Sequence, residues 1–113
     1  MTGIELIAKE RKRQIEEKGF NAKHDHDHKS NDLAIAGAIY ALPEKARLFV
    51  SYGNDGDKES YYPLLWPFEM KNYKPSPNDR KREQIKAGAL IAAEIDRIID
   101  EERFEQYFKE KHD

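Results

Sequence analysis

The chain has 113 residues, enough for one modest core, with 38% hydrophobic and 37% charged residues. Twenty basic residues against twenty-two acidic ones leave a net charge of −2, so no field of one sign is available to hold DNA or a membrane surface wholesale. There is no cysteine, which excludes disulfides and thiolate chemistry. No apolar run approaches the roughly 20 residues that span a bilayer, and residues 1–6 do not read as a signal peptide, so the expected location is the cytoplasm.

Residues 4–18 are predicted to form a first helix, with Ile4, Ile7, Arg11 and Ile15 on one stripe and Gly19 placed to end it. A polar loop over 20–31 follows. Ser30 or Asn31 then offers an N-cap for a second helix over 32–42, which Pro43 discourages from continuing. Its segment Ala34-Ile35-Ala36-Gly37-Ala38-Ile39 is nearly all small or aliphatic, which requires burial on several sides. Residues 43–75 are expected to be an irregular connection. A short helix is allowed over 44–50, 53–57 reads as a turn, and Pro63, Pro67 and Pro75 rule out a long regular element.

Ser76-Pro77-Asn78-Asp79 has the chemistry of a helix start, with serine as N-cap and proline at the first helical position. The last helix is predicted from there to about residue 109, with a bend near Asp100-Glu101-Glu102 that would make 101–113 a separate tail helix carrying Phe104, Tyr107 and Phe108. Ala36-Gly37-Ala38 in the second helix echoes Ala87-Gly88-Ala89 in the last. Small side chains let helices approach closely, so these segments are expected to pack on each other or on copies in a dimer. The expected fold is all-α: a single domain over 1–113, built as a small bundle of three to four helices with the aromatic and proline-rich segment packed across it. A homo-oligomer is expected, through the small-residue helices or the tail aromatics, and a deep pocket is expected to need the second copy.

Three features could carry chemistry. His24-Asp25-His26-Asp27-His28 offers imidazoles suited to zinc, nickel or iron and carboxylates suited to magnesium or manganese, so a divalent metal is the one cofactor suggested. Five neighbouring residues cannot all converge on one ion, so such a site would borrow Asp32 or Glu94; the alternative is a solvated polar loop. Glu94, after a strongly apolar helical stretch, is either buried with a basic partner such as Arg11, Arg13, Lys86 or Arg97, or faces a ligand. Arg80, Lys81, Arg82 and Lys86 crowd the start of the last helix, where the backbone favours anions, and Trp66, Phe68 or Tyr73 could stack on a base. The alternatives are a solubilising charge cluster and an aromatic core plug. A phosphate-cradling Gly-rich loop, a Gly-x-Ser-x-Gly elbow and a His-Glu-x-x-His helix are all absent from the sequence.

Several motifs together resemble a family of small phage and prophage proteins of unassigned activity. They are Arg11-Lys12-Arg13-Gln14, Gly19-Phe20, the His24–His28 run, Trp66-Pro67-Phe68, Lys74-Pro75, and Lys86-Ala87-Gly88-Ala89-Leu90 through Glu94 and Arg97, covering most of residues 8–99. Pro63-Leu64-Leu65-Trp66-Pro67-Phe68 followed by Asp79-Arg80 and a helix also resembles part of the ryanodine-receptor-type repeat domain, whose bacterial and phage versions are regarded as ligand binders. An acidic helical domain of this kind further invites comparison with MazG-like nucleotide pyrophosphohydrolases. Those hold magnesium with paired Glu-x-x-Glu and Glu-x-x-Asp motifs, a spacing from which Glu94-Ile95-Asp96 departs.

The leading expectation is a binding protein for a phosphorylated small molecule, a nucleotide or nucleotide signal, with no membrane and no strong nucleic-acid signal. Its candidate ligand contacts are Arg11, His24, His28, Trp66, Arg80, Arg82, Lys86 and Glu94. The alternatives are a metal-dependent nucleotide hydrolase using His24, Asp25, His26, Asp27 and His28 with Asp32 and Glu94, and a protein-interaction module with no small-molecule site.

Overall fold

The computed structural model describes residues 1–18, 31–55 and 58–112. Among them the chain is mainly helical, with α1 (Gly3–Lys18), α2 (Asp32–Ala41) and α3 (Arg80–His112). A two-stranded antiparallel sheet, β1 (Phe49–Asp55) and β2 (Lys58–Pro63), and single 3-10 turns at Glu44–Ala46 and Met70–Asn72 lie between α2 and α3. No helix among the described residues is long and apolar enough to cross a membrane.

The 33 residues of α3 make it the axis of the molecule. At 1.5 Å per residue it is about 50 Å long, most of the 60 Å long dimension. Leu33, Ala36 and Tyr40 of α2 interlock with Ala87, Leu90 and Ala93 of α3, and Trp66, Phe68 and Tyr73 pack over that seam. The small residues are what allow the approach. A Cβ on Gly37 would sit 3.2 Å from the Ala87 carbonyl oxygen and 3.1 Å from Ile91 Cδ1. A Cβ on Gly88 would sit 2.5 Å from Ile7 Cδ1. The two echoing segments therefore serve two joints inside one chain, α2 on α3 and α1 on α3.

The inward face of α1 keeps Ile7 and Arg11 of the predicted stripe and loses its ends. Ile4 is 82% exposed and Ile15 39%, whereas Glu10 and Gln14 are buried beside Arg11. Ile7 fixes the face against Gly88, and the next positions at helical spacing are polar. A reciprocal capping box starts the helix: Glu5 N–H donates to Thr2 Oγ1 at 3.2 Å, and Thr2 N–H donates to Glu5 Oε1 at 2.9 Å.

Residues 43–75 are more ordered than the prolines suggest. Phe49 pairs with Pro63, Val50 with Tyr62, Ser51 with Tyr61, and Asp55 with Lys58, with a bulge between Ser51 and Asn54. Val50 and aromatic residues such as Phe49, Tyr61 and Tyr62 suit paired strands, and Pro63 is tolerated because it closes the end of a strand. The allowed helix over 44–50 is reduced to Glu44–Ala46, because Leu48 adopts φ 52° and turns the chain out into β1.

The last helix also differs from expectation at both ends. Asp79, not Ser76, caps it: Arg82 N–H donates to Asp79 Oδ1 at 3.0 Å, while Asp79 N–H closes a turn on the Ser76 carbonyl at 2.9 Å. The helix then runs without interruption through Asp100-Glu101-Glu102. Arg97 spans that stretch, with Nη2 2.6 Å from Glu94 and Nη1 2.7 Å from Glu101, and these i,i+3 and i,i+4 pairs favour a continuous helix.

Candidate functional site

A cleft of about 700 Å³ opens where α1, α2, α3 and the Trp66 to Lys74 segment meet. Its floor is core: Leu33, Ala36 and Tyr40 from α2 and Leu90 from α3. Trp66 and Phe68 form one wall, and their rings meet edge to face at 5.7 Å. Trp66 is fixed by Tyr40 at 5.5 Å, by Tyr73 at 5.1 Å, and by an indole N–H donated to the Glu69 carbonyl at 3.1 Å. The opposite wall is charged, with Glu10, Arg13 and Gln14 from α1 and Arg82 and Lys86 from α3, and Lys74 at the edge. Among the described residues four cations and one carboxylate line the cleft, a net +3 beside an aromatic surface.

The carboxylate is what holds the charged wall together. Glu10 Oε1 accepts from Arg13 Nε at 2.9 Å and from Arg82 Nη1 at 2.8 Å, and its Oε2 accepts from Arg13 Nη2 at 2.7 Å. Burial raises the Glu10 pKa, but the hydrogen bonds and charges of Arg13 and Arg82 outweigh it and hold the group down at about 2. Glu10 is therefore ionised throughout the neutral range and sets the position of both guanidinium groups. Arg13 completes its set with Glu17 at 3.4 Å. Arg82 differs: beyond Nη1, its Nε and Nη2 donate to nothing among the described residues, although the side chain is only 33% exposed. Lys86 reaches back to the Lys74 carbonyl at 2.6 Å and Ser76 Oγ at 3.2 Å, and its Nζ lies 5.4 Å from the centre of the Tyr40 ring. Gln14 Oε1 is buried on the same wall without a hydrogen-bond partner among the described residues.

Of the residues singled out in the sequence, Trp66, Arg82 and Lys86 line this cleft together. Arg80 does not. Its guanidinium turns to the end of α2, donating to the carbonyls of Tyr40, Leu42 and Ala41. There it joins Gln84, which donates to the Ala41 carbonyl at 3.0 Å, and Arg47, which donates to those of Tyr40 and Leu42. These are the carbonyls a helix leaves unsatisfied at its C-terminus, and cations are favoured there. Arg11 lies outside the cleft as well, bonded to Asp96 at 3.1 Å across the α1–α3 joint. Glu94 is buried in its pair with Arg97 and does not line the cleft, and its Oε2 has no hydrogen-bond partner among the described residues. Asp32 is the first residue of α2. His24, Asp25, His26, Asp27 and His28 lie outside the described residues. Among the described residues no group of three or more His, Cys, Asp or Glu side chains is arranged to hold a metal ion.

Glu10, Arg13, Tyr40 and Arg47 are the residues the sequence reading underweighted. One local signal does point to Glu10: helical spacing continued from Ile7 puts polar residues 10, 11 and 14 on the face that must be buried. Comparison with protein families, with curated proteins and with solved structures finds no match to this chain.

Proposed function

We propose that the cleft binds a phosphorylated small molecule carrying a planar ring, of the nucleotide class. The observation that carries this reading is the pairing of Arg82 with Trp66 across one cleft. Arg82 is oriented by Glu10 through one nitrogen, which leaves Nε and Nη2 as a planar fork of donors. Such a fork matches two phosphate oxygens and loses little conformational freedom on binding, because its position is already set. Lys74 and Lys86 add charge that suits an anion, and Trp66 with Phe68 offers faces and edges for a ring. The volume lies within the range of small-molecule sites.

Thermal melting of chelator-treated protein tests this with nucleoside mono- and diphosphates, the matching nucleosides and inorganic phosphate, each with and without magnesium. A ligand that binds only the folded state raises the melting temperature according to its concentration over Kd. The expected result is a rise with at least one nucleotide that exceeds the rise with its nucleoside or with phosphate alone. No rise with any nucleotide overturns the proposal. A rise that needs magnesium, followed by appearance of a cleaved product, would move the reading to a hydrolase.

A further inference from the structure

We propose that the protruding end of α3 is a self-association surface on which a second copy of this chain docks antiparallel, Phe104 of one copy against Phe108 of the other. The body of the protein ends near Glu101, and every described residue from 102 to 111 is exposed. Phe104, Tyr107 and Phe108 are 61%, 58% and 52% exposed there, and the Phe104 and Phe108 rings sit 5.6 Å apart on successive turns. The face they occupy is a continuation of the inward seam of the helix. Positions 90, 94 and 97 are buried in the body, and the same spacing of three and four carries on through 101, 104, 108 and 111. A 3.5-residue repeat is the spacing that lets two helices share a seam.

A second copy is the occupant because the seam complements itself. With two tails antiparallel and centred on position 106, position 104 meets 108 and position 101 meets 111. That register sets Phe104 against Phe108 twice and Glu101 against Lys111 twice. A parallel arrangement would instead oppose Glu101 to Glu101 and Lys111 to Lys111. The other self-association route read from the sequence is closed, since Gly37 already packs on Ala87 and Ile91, and Gly88 on Ile7, within the chain. The three rings leave about 340 Å² in the open per copy, taking about 200 Å² for each side chain. That is under half of the ~800 Å² per partner in a standard interface, so the pairing is reversible and depends on concentration.

Sedimentation of the full chain from low micromolar to near millimolar concentration should show the mass rising from 13.2 kDa toward twice that. Phe108→Glu should weaken association about tenfold or more, with helicity by circular dichroism unchanged to show that the fold is intact. Because the chain has no cysteine, Glu101→Cys and Lys111→Cys each introduce a single thiol. Mixed and oxidised, the two variants should form the cross-linked heterodimer, while each alone stays largely uncross-linked. A chain that remains monomeric at every concentration overturns the proposal, as does a Phe108→Glu variant that associates like the wild type. Cross-linking of each variant only with itself overturns the antiparallel register.

Discussion

Glu83 and Glu10 are both buried at 3% side-chain exposure, and each lies between two arginines, Arg47 and Arg80 for one and Arg13 and Arg82 for the other. The difference lies in the arginines. Arg47 is fully buried and uses every nitrogen inside the protein: on both oxygens of Glu83, on the Tyr73 hydroxyl, and on the carbonyls of Tyr40 and Leu42. Arg82 is one-third exposed, faces the cleft and keeps two nitrogens uncommitted among the described residues. The first cluster closes the end of α2 onto α3 and carries the chain into β1. The second presents positive charge to the cleft. The same ion pair thus serves as a structural joint where its donors are exhausted, and under the proposed function it is a prepared anion site where some remain.

The sharpest way to break this comparison is Arg47→Met. It leaves Glu83 buried with the Ser76 N–H at 3.2 Å and, as its remaining cation among the described residues, the more distant Arg80 at 3.8 Å, and it strips donors from the last carbonyls of α2. Removing one partner of a buried pair costs about 3–5 kcal/mol, so urea unfolding should show a loss of that size, a large share of the stability of a small domain. A loss below about 1 kcal/mol would mean that the joint is no more than a surface ion pair.

Arg80 and Arg82 sharpen the comparison further, because they are the same residue type two positions apart. Arg82→Met should lower the affinity for the nucleotide found by melting about tenfold or more, since charge-assisted hydrogen bonds are each worth about 1.5–3 kcal/mol. Its stability loss should stay under about 2 kcal/mol, because Arg13 still holds both oxygens of Glu10. Arg80→Met should do the reverse, costing about 1 kcal/mol of stability through the uncapped α2 terminus with affinity unchanged. Calorimetric titration beside urea unfolding of both variants checks the split, and equal affinity losses would sink the assignment of Arg82 to the site.

That pair also marks how far the sequence could be read. The helices were legible from apolar spacing and breakers, to within a residue or two for α1 and α2. The caps were not: Asn31 makes no side-chain cap bond and Asp79 takes the place expected of Ser76. The hairpin was not, because its strands hold Gly53, Asn54 and Asp55 beside the aromatic residues and its pairing is a tertiary choice. Trp66, Arg82 and Lys86 were singled out by residue type, and they meet in one cleft. Arg80 could not be separated from Arg82, since two residues are about 200° around a helix and only the position of α2 decides which one meets carbonyls and which meets a cleft. The Glu10 clasp joins residues 72 apart in the chain, and no local pattern specifies it.

The remaining test lies in the acid range, and it asks whether the Glu10 clasp exists in solution. Glu10 is held at about 2 against an ordinary value of 4.5. Between those values the unfolded chain takes up a proton that the folded chain refuses, so acid favours unfolding there. The stability tied to Glu10 is fully present above pH 4.5 and is lost as the pH falls toward 2. Glu83 is lowered as well, where the Arg47 bonds outweigh the opposing effect of burial, and it contributes in the same direction. Glu10→Gln removes the first contribution and leaves the second. Urea midpoints measured from pH 7 to pH 2 should therefore show the variant less stable than the wild type at neutral pH, with a gap that closes below pH 4.5. A gap that stays constant over the whole range would show that Glu10 titrates like an exposed carboxylate. The cleft would then lack the fixed anion that orients Arg82, and the binding proposal would lose its geometric basis.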